Sequence, residues 1–448
     1  MSRSPQPDAP RTSPPGPRDA VVVGGNRIPF ARAGRKYADA SNQELLTAAI
    51  EGLVARFGLQ GERLGEVAGG AVLKHSRDFN LVRECVLGSS LSPQTPAYDV
   101  QQACATGLEA AIAVTNKIRL GQIDSGIAGG TDTISDAPIA VSEGLRHVLL
   151  EATHAKTLQG RLKALAKLRP ADLKPLTPVT DEPRTGLSMG EHQAITTARW
   201  GITRQAQDDV ALASHRHLAR AWDEGFFDDL VTPFHGLTRD DNLRPYTSSE
   251  KLAALAPVFG KALAGTAEPT MTAGNSTPLT DGASAVLLAS REWAQEHDLP
   301  VLARFVDAET AAVDFVHGHE GLLMAPVHAV PRLLARNGLT VDDIDFFEIH
   351  EAFASTVLTT LAAWEDDEYC RTELGLDGAF GKVDRARINV NGSSLAAGHP
   401  FAATGGRILA TAAKLVAQRA ASTGEPVRAL ISVCAAGGLG ATALIESA

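Results

Sequence analysis

Three consecutive valines, Val21-Val22-Val23, closed by Gly24-Gly25, read as a strand buried on both faces. Ser41-Asn42-Gln43-Glu44 sets an N-cap serine three residues ahead of a glutamate, a capping box, and predicts a helix from Ser41. The pattern then predicts a strand over Glu66–Leu73, a helix carrying Cys85, a short strand Ala97–Gln101 and an Ala/Leu-rich helix opened by Cys104 and running to about Leu120. A strand at Ile127–Gly130 follows. The second half repeats the theme. Val301–Ala308 is predicted as a strand and Pro326–Asn337 as a helix, with its proline early, where a missing N–H costs nothing. Phe346–Ile349 is a strand running into His350, followed by a helix and a strand at Arg387–Val390. A long Ala-rich helix begins near Pro400, and Arg428–Val433 and Ala441–Ile445 are the last strands. Strands alternating with helices over short connections predict an α/β layered sheet, and the shared plan of the two halves predicts a pseudo-duplicated fold.

Residues 137–274, between the halves, are more charged, helical and interrupted by proline. The stretch 146–174 carries Arg146, Lys156, Arg161, Lys163, Lys167, Arg169 and Lys174 against Glu151 and Asp172. Leu158, Leu162, Leu165 and Leu168 stand at helical spacing within it. The plainest expectation for this basic helix (156–169) is a leucine face packed on its own domain with the cations in solvent. The sharper ones are an anionic-ligand groove, or a membrane-surface or partner-docking helix.

Composition narrows the field. The 448 residues are 44% apolar and 21% charged, enough for large cores and two or three domain-sized units. A net charge of −10 argues against nucleic acid as a partner. Four cysteines are too few for a disulfide framework and point to a reducing, cytoplasmic setting. Residues 1–19 form a Pro-rich tail, expected to be disordered, with neither a signal-peptide core nor a transit-peptide pattern.

Four segments offer chemistry, each at a predicted strand end, where α/β sheets bind ligands. Cys104 lies in Gln101-Gln102-Ala103-Cys104-Ala105-Thr106-Gly107, at a strand-to-helix junction. A helix N-terminus there is expected to lower the thiol pKa and favour thiolate. A lone cysteine is more often a small buried hydrophobe. His399, between Gly398 and Pro400, is held in a rigid turn and can take a thiol proton or polarise a carbonyl. Cys434 enters Ala435-Ala436-Gly437-Gly438, a loop able to offer N–H groups to an oxyanion. His350 opens His350-Glu351-Ala352-Phe353-Ala354. The triplet His317, His319 and Glu320 resembles a metal cluster but lacks a partner at motif spacing, so no metal is expected. Cys85 reads as core, Cys370 as incidental, and Asp208-Asp209 and Asp240-Asp241 as solvated carboxylates.

In this order the four segments resemble the thiolase superfamily. Supporting stretches are Gly129–Pro138 (GGTDTISDAP), Ser188–Glu191 (SMGE) and Thr272–Ala283 (TAGNSTPLTDGA). The likeness runs over residues 20–448 and is nearest to the β-subunit of the fatty-acid trifunctional complex. It implies an α/β thiolase fold of two pseudo-duplicated αβαβα-layered halves, residues 20–136 with 275–291 and residues 292–448. A loop domain, 137–274, would cover the coenzyme A (CoA). It implies thiolytic cleavage of 3-ketoacyl-CoA by CoA through an acyl-cysteine, as an acetyl-CoA C-acyltransferase of fatty-acid β-oxidation. Cys104 would be the nucleophile, His399 its base, Cys434 the second acid/base and His350 a water-orienting group. Backbone N–H groups of Cys104 and Ala436 would hold an oxyanion. Thr277, Met189 and Phe353 would contact substrate, and no cofactor beyond the CoA substrates is implied. Implied partners are a second copy of the chain in a homodimer or larger assembly and a hydratase/dehydrogenase α-subunit. Contact of 146–174 with a membrane surface is a further possibility.

The chain departs from the common pattern in places. Many thiolases have Asn at His350 and Gly at Ala402, and histidine at 350 sorts the chain with the trifunctional class. The usual Cys-x-Gly-Gly-Gly is here Cys434-Ala435-Ala436-Gly437-Gly438, where the Ala436 methyl narrows the pocket while its N–H remains available. Three other readings stand beside thiolysis: biosynthetic condensation of two acetyl-CoA units, a decarboxylating ketoacyl synthase, which has no use for Cys434, and a non-enzymatic lipid-carrier or docking subunit.

Overall fold

The computed structural model describes residues 18–448. Most of the expected disordered tail, 1–17, lies outside them. Its last two residues are tied down instead: the Arg18 N–H donates to the Arg119 carbonyl (3.0 Å), and Asp19 pairs with Arg291 (3.3 Å).

In chain order the first half runs β1 (Ala20–Arg27), β2 (Ala31–Arg32), α1 (Asn42–Phe57), β3 (Glu66–Gly69), α2 (Leu81–Leu87), β4 (Ala97–Asp99), α3 (Thr106–Arg119) and β5 (Ser125–Asp132). The chain then leaves the sheet for α4 (Glu143–His154), α5 (Leu158–Leu165), α6 (Met189–Arg199), α7 (Arg204–Asp223) and α8 (Ser249–Ala253), returning at β6 (Thr280–Ser290). The second half comprises α9 (Arg291–Glu296), β7 (Ala303–Ala312), α10 (Ala325–Arg336), β8 (Phe346–Ile349), α11 (Ala354–Glu365), α12 (Asp367–Thr372), α13 (Ser394–Ala397), α14 (Ala403–Thr423), β9 (Arg428–Ala435) and β10 (Leu439–Ser447). The capping box at Ser41 and Glu44 forms as expected. The eleven-residue β6, for which the sequence reading gives no element, is a central strand.

Strand order makes the duplication explicit. The first half reads β4-β3-β5-β6-β1, parallel at its first two junctions and antiparallel at the next two. The second half reads Ile388-β8-β9-β10-β7 with the same alternation. The two join where β1 meets β7, at Val21↔Arg304 and Val22↔Ala303. The expected strand Arg387–Val390 therefore shrinks to one bridge, Phe347↔Ile388. Asp384 caps a 3-10 turn over Arg385–Arg387, and Asn389 takes a left-handed φ of 47°, which ends extended backbone.

Side-chain alternation along the strands builds three cores in five layers. Val22, Ala128, Ile431 and Ala443 point into a central core shared with α3 and α14. Val21, Val23 and Ile127 face an outer core under α1 and α2. Leu430 and Leu444 face the opposite outer core under α10 and α11. Among the described residues, no helix is long and apolar enough to cross a membrane.

The basic helix differs from its plainest expectation. In α5, Ala164 is buried, whereas Leu158 and Leu162 are 74% and 58% exposed, and Leu165 is exposed too. The eight-residue helix lies against α4, and the face it covers is the one bearing Ala164. Its leucines stand in solvent among Arg161, Lys163 and Lys167.

Candidate active site

After β4 the chain turns sharply, with Ala103 at a φ of 46°. An alanine held there costs about 1–2 kcal/mol. The Thr106 hydroxyl fixes the turn by donating to the Ala103 carbonyl (2.7 Å) and accepting from the Gln102 N–H (2.9 Å). Cys104 thus lies just ahead of α3 rather than inside it. His399 lies just ahead of α14, its N–H donating to Thr280 Oγ1 (2.8 Å) at the start of β6. The first turns of α3 and α14 touch through glycine. A Cβ on Gly107 would fall 2.6 Å from the Ala402 carbonyl oxygen, and one on Gly405 2.3 Å from the Leu108 nitrogen. Only bare backbone permits this approach. It brings Cys104 Sγ within 3.1 Å of His399 Nε2, while His399 Nδ1 lies 2.6 Å from Thr404 Oγ1. Buried Asp132 at the end of β5 accepts from the N–H groups of Val72, Leu73 and Ala402, tying two loops to the strand end beside the pair.

His350, at the end of β8, is fully buried, and its ring centroid lies 4.1 Å from that of His399. Cys434, at the end of β9, is close enough that charge on Cys104 raises its pKa. The Ala436 N–H is directed at the Cys104 sulfur. The loop carrying it is held by Glu182, whose Oε1 accepts the Gly437 N–H at 2.6 Å. Phe353 and Met189 pack with Cys434, Met271, Leu322 and Leu323 in an apolar cluster. The Thr277 hydroxyl donates to the Ala352 carbonyl (2.9 Å), which leaves its lone pairs free. The structure therefore gathers Cys104, His399, His350, Cys434 and Ala436 in one region, with Phe353 and Met189 beside Cys434.

The electrostatics overturn one expectation. Burial outweighs the N–H groups of Ala436 and Cys104 and pushes the Cys104 thiol up to about 12. Burial, aided by the Arg407 charge, lowers His399 to about 3. Burial, His399 and Arg407 hold His350 well below its ordinary value, and burial raises Cys434. At neutral pH the pair is thus a thiol and a neutral imidazole, not thiolate and imidazolium, and the proton must move as the sulfur attacks. Alkylation of Cys104 by iodoacetamide, followed by mass spectrometry, should rise about tenfold per pH unit from pH 7 to 9. A rate already flat across that range would mean a preformed thiolate.

A cleft of about 820 Å³ has Ser276, Thr277 and Leu279 among its lining residues. Leu279 is bridged to His399 and Ser276 to Phe353, so the cleft borders the segments that carry the site, although Cys104, His399, His350 and Cys434 do not themselves line it. Arg32, Arg244 and Lys251 line it, and no residue of 146–174 does. Burial and the nearby Arg244 and Arg35 charges lower the Arg32 pKa, as expected of cations gathered for an anion. Buried Ser276 Oγ has no partner. Arg32, Arg244 and Lys251, scattered in sequence, carry no motif, whereas Ser276 lies within the Thr272–Ala283 stretch; only the fold assembles them.

Other expectations are corrected. Asp240 is buried in a two-pronged pair with Arg27 (2.6 and 2.8 Å). Asp208 is buried against Arg204 (2.7 Å) and Asn275 (2.9 Å). Burying a carboxylate requires such partners, which sequence spacing does not reveal. Cys85 is core, as expected, and Cys370, read as incidental, is fully buried on α12. Glu320 is taken up by the Tyr369 hydroxyl (3.0 Å). Among the described residues, Cys104, His350 and His399 are the group whose ligating atoms converge, all within 4.8 Å.

Comparison with known proteins agrees with this geometry. Residues 20–292 match the family model "Thiolase, N-terminal domain" and residues 299–447 "Thiolase, C-terminal domain". A 3-ketoacyl-CoA thiolase of Pectobacterium carotovorum is 38% identical over 432 residues, covering 95% of this chain and 96% of the relative. One from Yersinia enterocolitica is 37% identical with the same coverage. Among solved structures, Bacillus anthracis acetyl-CoA acetyltransferase superposes with a TM-score of 0.78 at 27% identity, over 97% of this chain and 100% of that one. Human mitochondrial 3-ketoacyl-CoA thiolase superposes with a TM-score of 0.77 at 26% identity, over 96% and 99%.

Proposed function

The chain belongs to the thiolase family, and from that premise we propose that it is an acyltransferase cleaving 3-ketoacyl-CoA with CoA in fatty-acid β-oxidation. The observation that carries this reading is the 3.1 Å contact between Cys104 Sγ and His399 Nε2, with Cys434 and His350 beside it. His399 Nε2 takes the thiol proton as Cys104 attacks the 3-keto carbon. The tetrahedral oxygen meets the N–H groups of Cys104 and Ala436, each such donor being worth about 3 kcal/mol of barrier. Collapse breaks the carbon–carbon bond and leaves an acyl group on Cys104. His399 and a water oriented by His350 stabilise the departing enolate oxygen. Cys434, protonated because burial raises its pKa, gives its proton to the enolate carbon and yields acetyl-CoA. Incoming CoA then surrenders its thiol proton to Cys434 and carries off the acyl group, and His399 returns its proton to the departing Cys104 sulfur.

The cleft supports CoA as the second substrate. Arg32, Arg244 and Lys251 suit its phosphates, and Ser276 and Thr277 suit the amide arm near the site. Residues 137–274 serve as its cover. The Phe353, Met189 and Cys434 cluster forms an apolar wall for the acyl chain. By resemblance, the same reading extends to a homodimer or larger assembly, a hydratase/dehydrogenase partner and a cytoplasmic location. The exposed leucines of α5 among cations support a surface contact through 146–174, to a partner or a membrane.

Condensation of two acetyl-CoA units remains the second reading, favoured by the likeness to an acetyl-CoA acetyltransferase structure. Thiolysis of 3-ketoacyl-CoA substrates from four carbons upward tests both. Activity extending to long chains is expected, and activity confined to acetoacetyl-CoA would favour the biosynthetic reading.

A further inference from the structure

Behind His350 lies a polar chain that the mechanism above does not use. His350 Nδ1 is 2.7 Å from Ser394 Oγ, at the start of α13. Arg407, buried on α14, reaches the same oxygen with Nη2 at 3.0 Å and Ser393 Oγ at 3.2 Å. A guanidinium has donors only, so it fills one lone pair of Ser394 Oγ. Among the described residues, the one acceptor in contact with that hydroxyl is then His350 Nδ1. The Ser394 proton must point at Nδ1, and the ring hydrogen of neutral His350 must sit on Nε2. Nε2 is buried without a partner among the described residues, on a ring that faces His399 and belongs to the converging group with Cys104.

We propose that Ser394 and Arg407 are positioning residues that lock His350 as the Nε2–H tautomer, making it a fixed donor toward the reacting oxygen or its water. This rests on the thiolase reading and deepens it. In the other tautomer Nε2 would turn a lone pair toward an oxygen gaining negative charge. Two carboxylates accompany the Arg407 charge. Glu351 accepts from Ser214 (2.7 Å), Asn389 (2.8 Å) and the Leu395 N–H (3.1 Å). Glu348, on β8, is fully buried with both oxygens unpartnered.

The test uses the full chain with 15N-labelled histidine, His350 being assigned by the signals lost in His350→Asn. The wild type should show a protonated Nε2 and a bare Nδ1. Ser394→Ala should lose that fixed pattern and lower kcat about tenfold to a hundredfold with KM within about twofold. Ser394→Thr, which keeps the hydroxyl, should restore both. An Nδ1–H signal in the wild type overturns the proposal, whatever Ser394→Ala does to folding. So does Ser394→Ala with its nitrogen pattern or its kcat unchanged. An intact Nε2–H pattern in a protein without thiolase activity would instead overturn the functional reading and leave the lock standing.

Discussion

Cys104→Ser is expected to lower thiolysis at least about a thousandfold while acyl-CoA binding and the fold persist. Serine fits the same turn, with Ala103 left-handed and His399 Nε2 at hydrogen-bond range, so the substitution isolates the chemistry of the sulfur. The thiol already stands at about 12 in its buried setting, and a hydroxyl in the same spot loses its proton with far more difficulty. Mass spectrometry after incubation with a 3-ketoacyl-CoA should find an acyl adduct on Cys104 in the wild type and none in the variant. An adduct of the same mass elsewhere in the variant, or thiolysis within tenfold of wild type, would move the nucleophile to another residue.

Cys434→Ala should separate the two halves of the cycle. Attack and carbon–carbon cleavage need only Cys104, His399 and the oxyanion donors, so the acyl adduct still forms. Turnover then falls by about 10²–10⁴, the usual worth of a positioned acid or base. The side chains clustered with Cys434 are apolar, with Phe353, Leu322, Leu323 and Met271, and the titratable groups of the site, Cys104, His399 and His350, already carry other parts of the cycle. A second readout is exchange of the acetyl-CoA methyl hydrogens in D2O, which runs the enolate step alone. It should vanish in Cys434→Ala and persist, slowed, in Cys434→Ser. Wild-type exchange in the alanine variant would assign carbon protonation to a different group.

Much of this was legible in the chain because the chemistry is carried by short, rigid segments. Cys104, His399, Cys434 and His350 each follow or end a regular element; Gly398 and Pro400 flank His399, and a glycine follows Cys104 and Cys434 three residues on. The misreadings share a cause, which is that long-range partners outrank local pattern. Arg387–Val390 looks like a strand, but Asn389 spends its amide bracing Ile349 (2.9 Å) and bends the backbone away. Leu158, Leu162 and Leu165 look like a buried face, yet the surface they would need is not there. Cys104 beside a helix start looks like a thiolate, but depth decides its protonation. Asp240 looks solvated until Arg27 arrives from the far end of the first half. Ser394 and Arg407 carry no sequence signal at all, since their significance lies in which atom of His350 they touch.

Because Gly107 and Gly405 let two helices meet backbone to backbone, sulfur and imidazole are fastened by the main chain rather than by adjustable side chains. Reactivity is therefore a property of the closed molecule alone. A chain caught midway through synthesis or partly opened by heat holds the cysteine without its base and its oxyanion donors, as an ordinary thiol with no means of breaking a carbon–carbon bond.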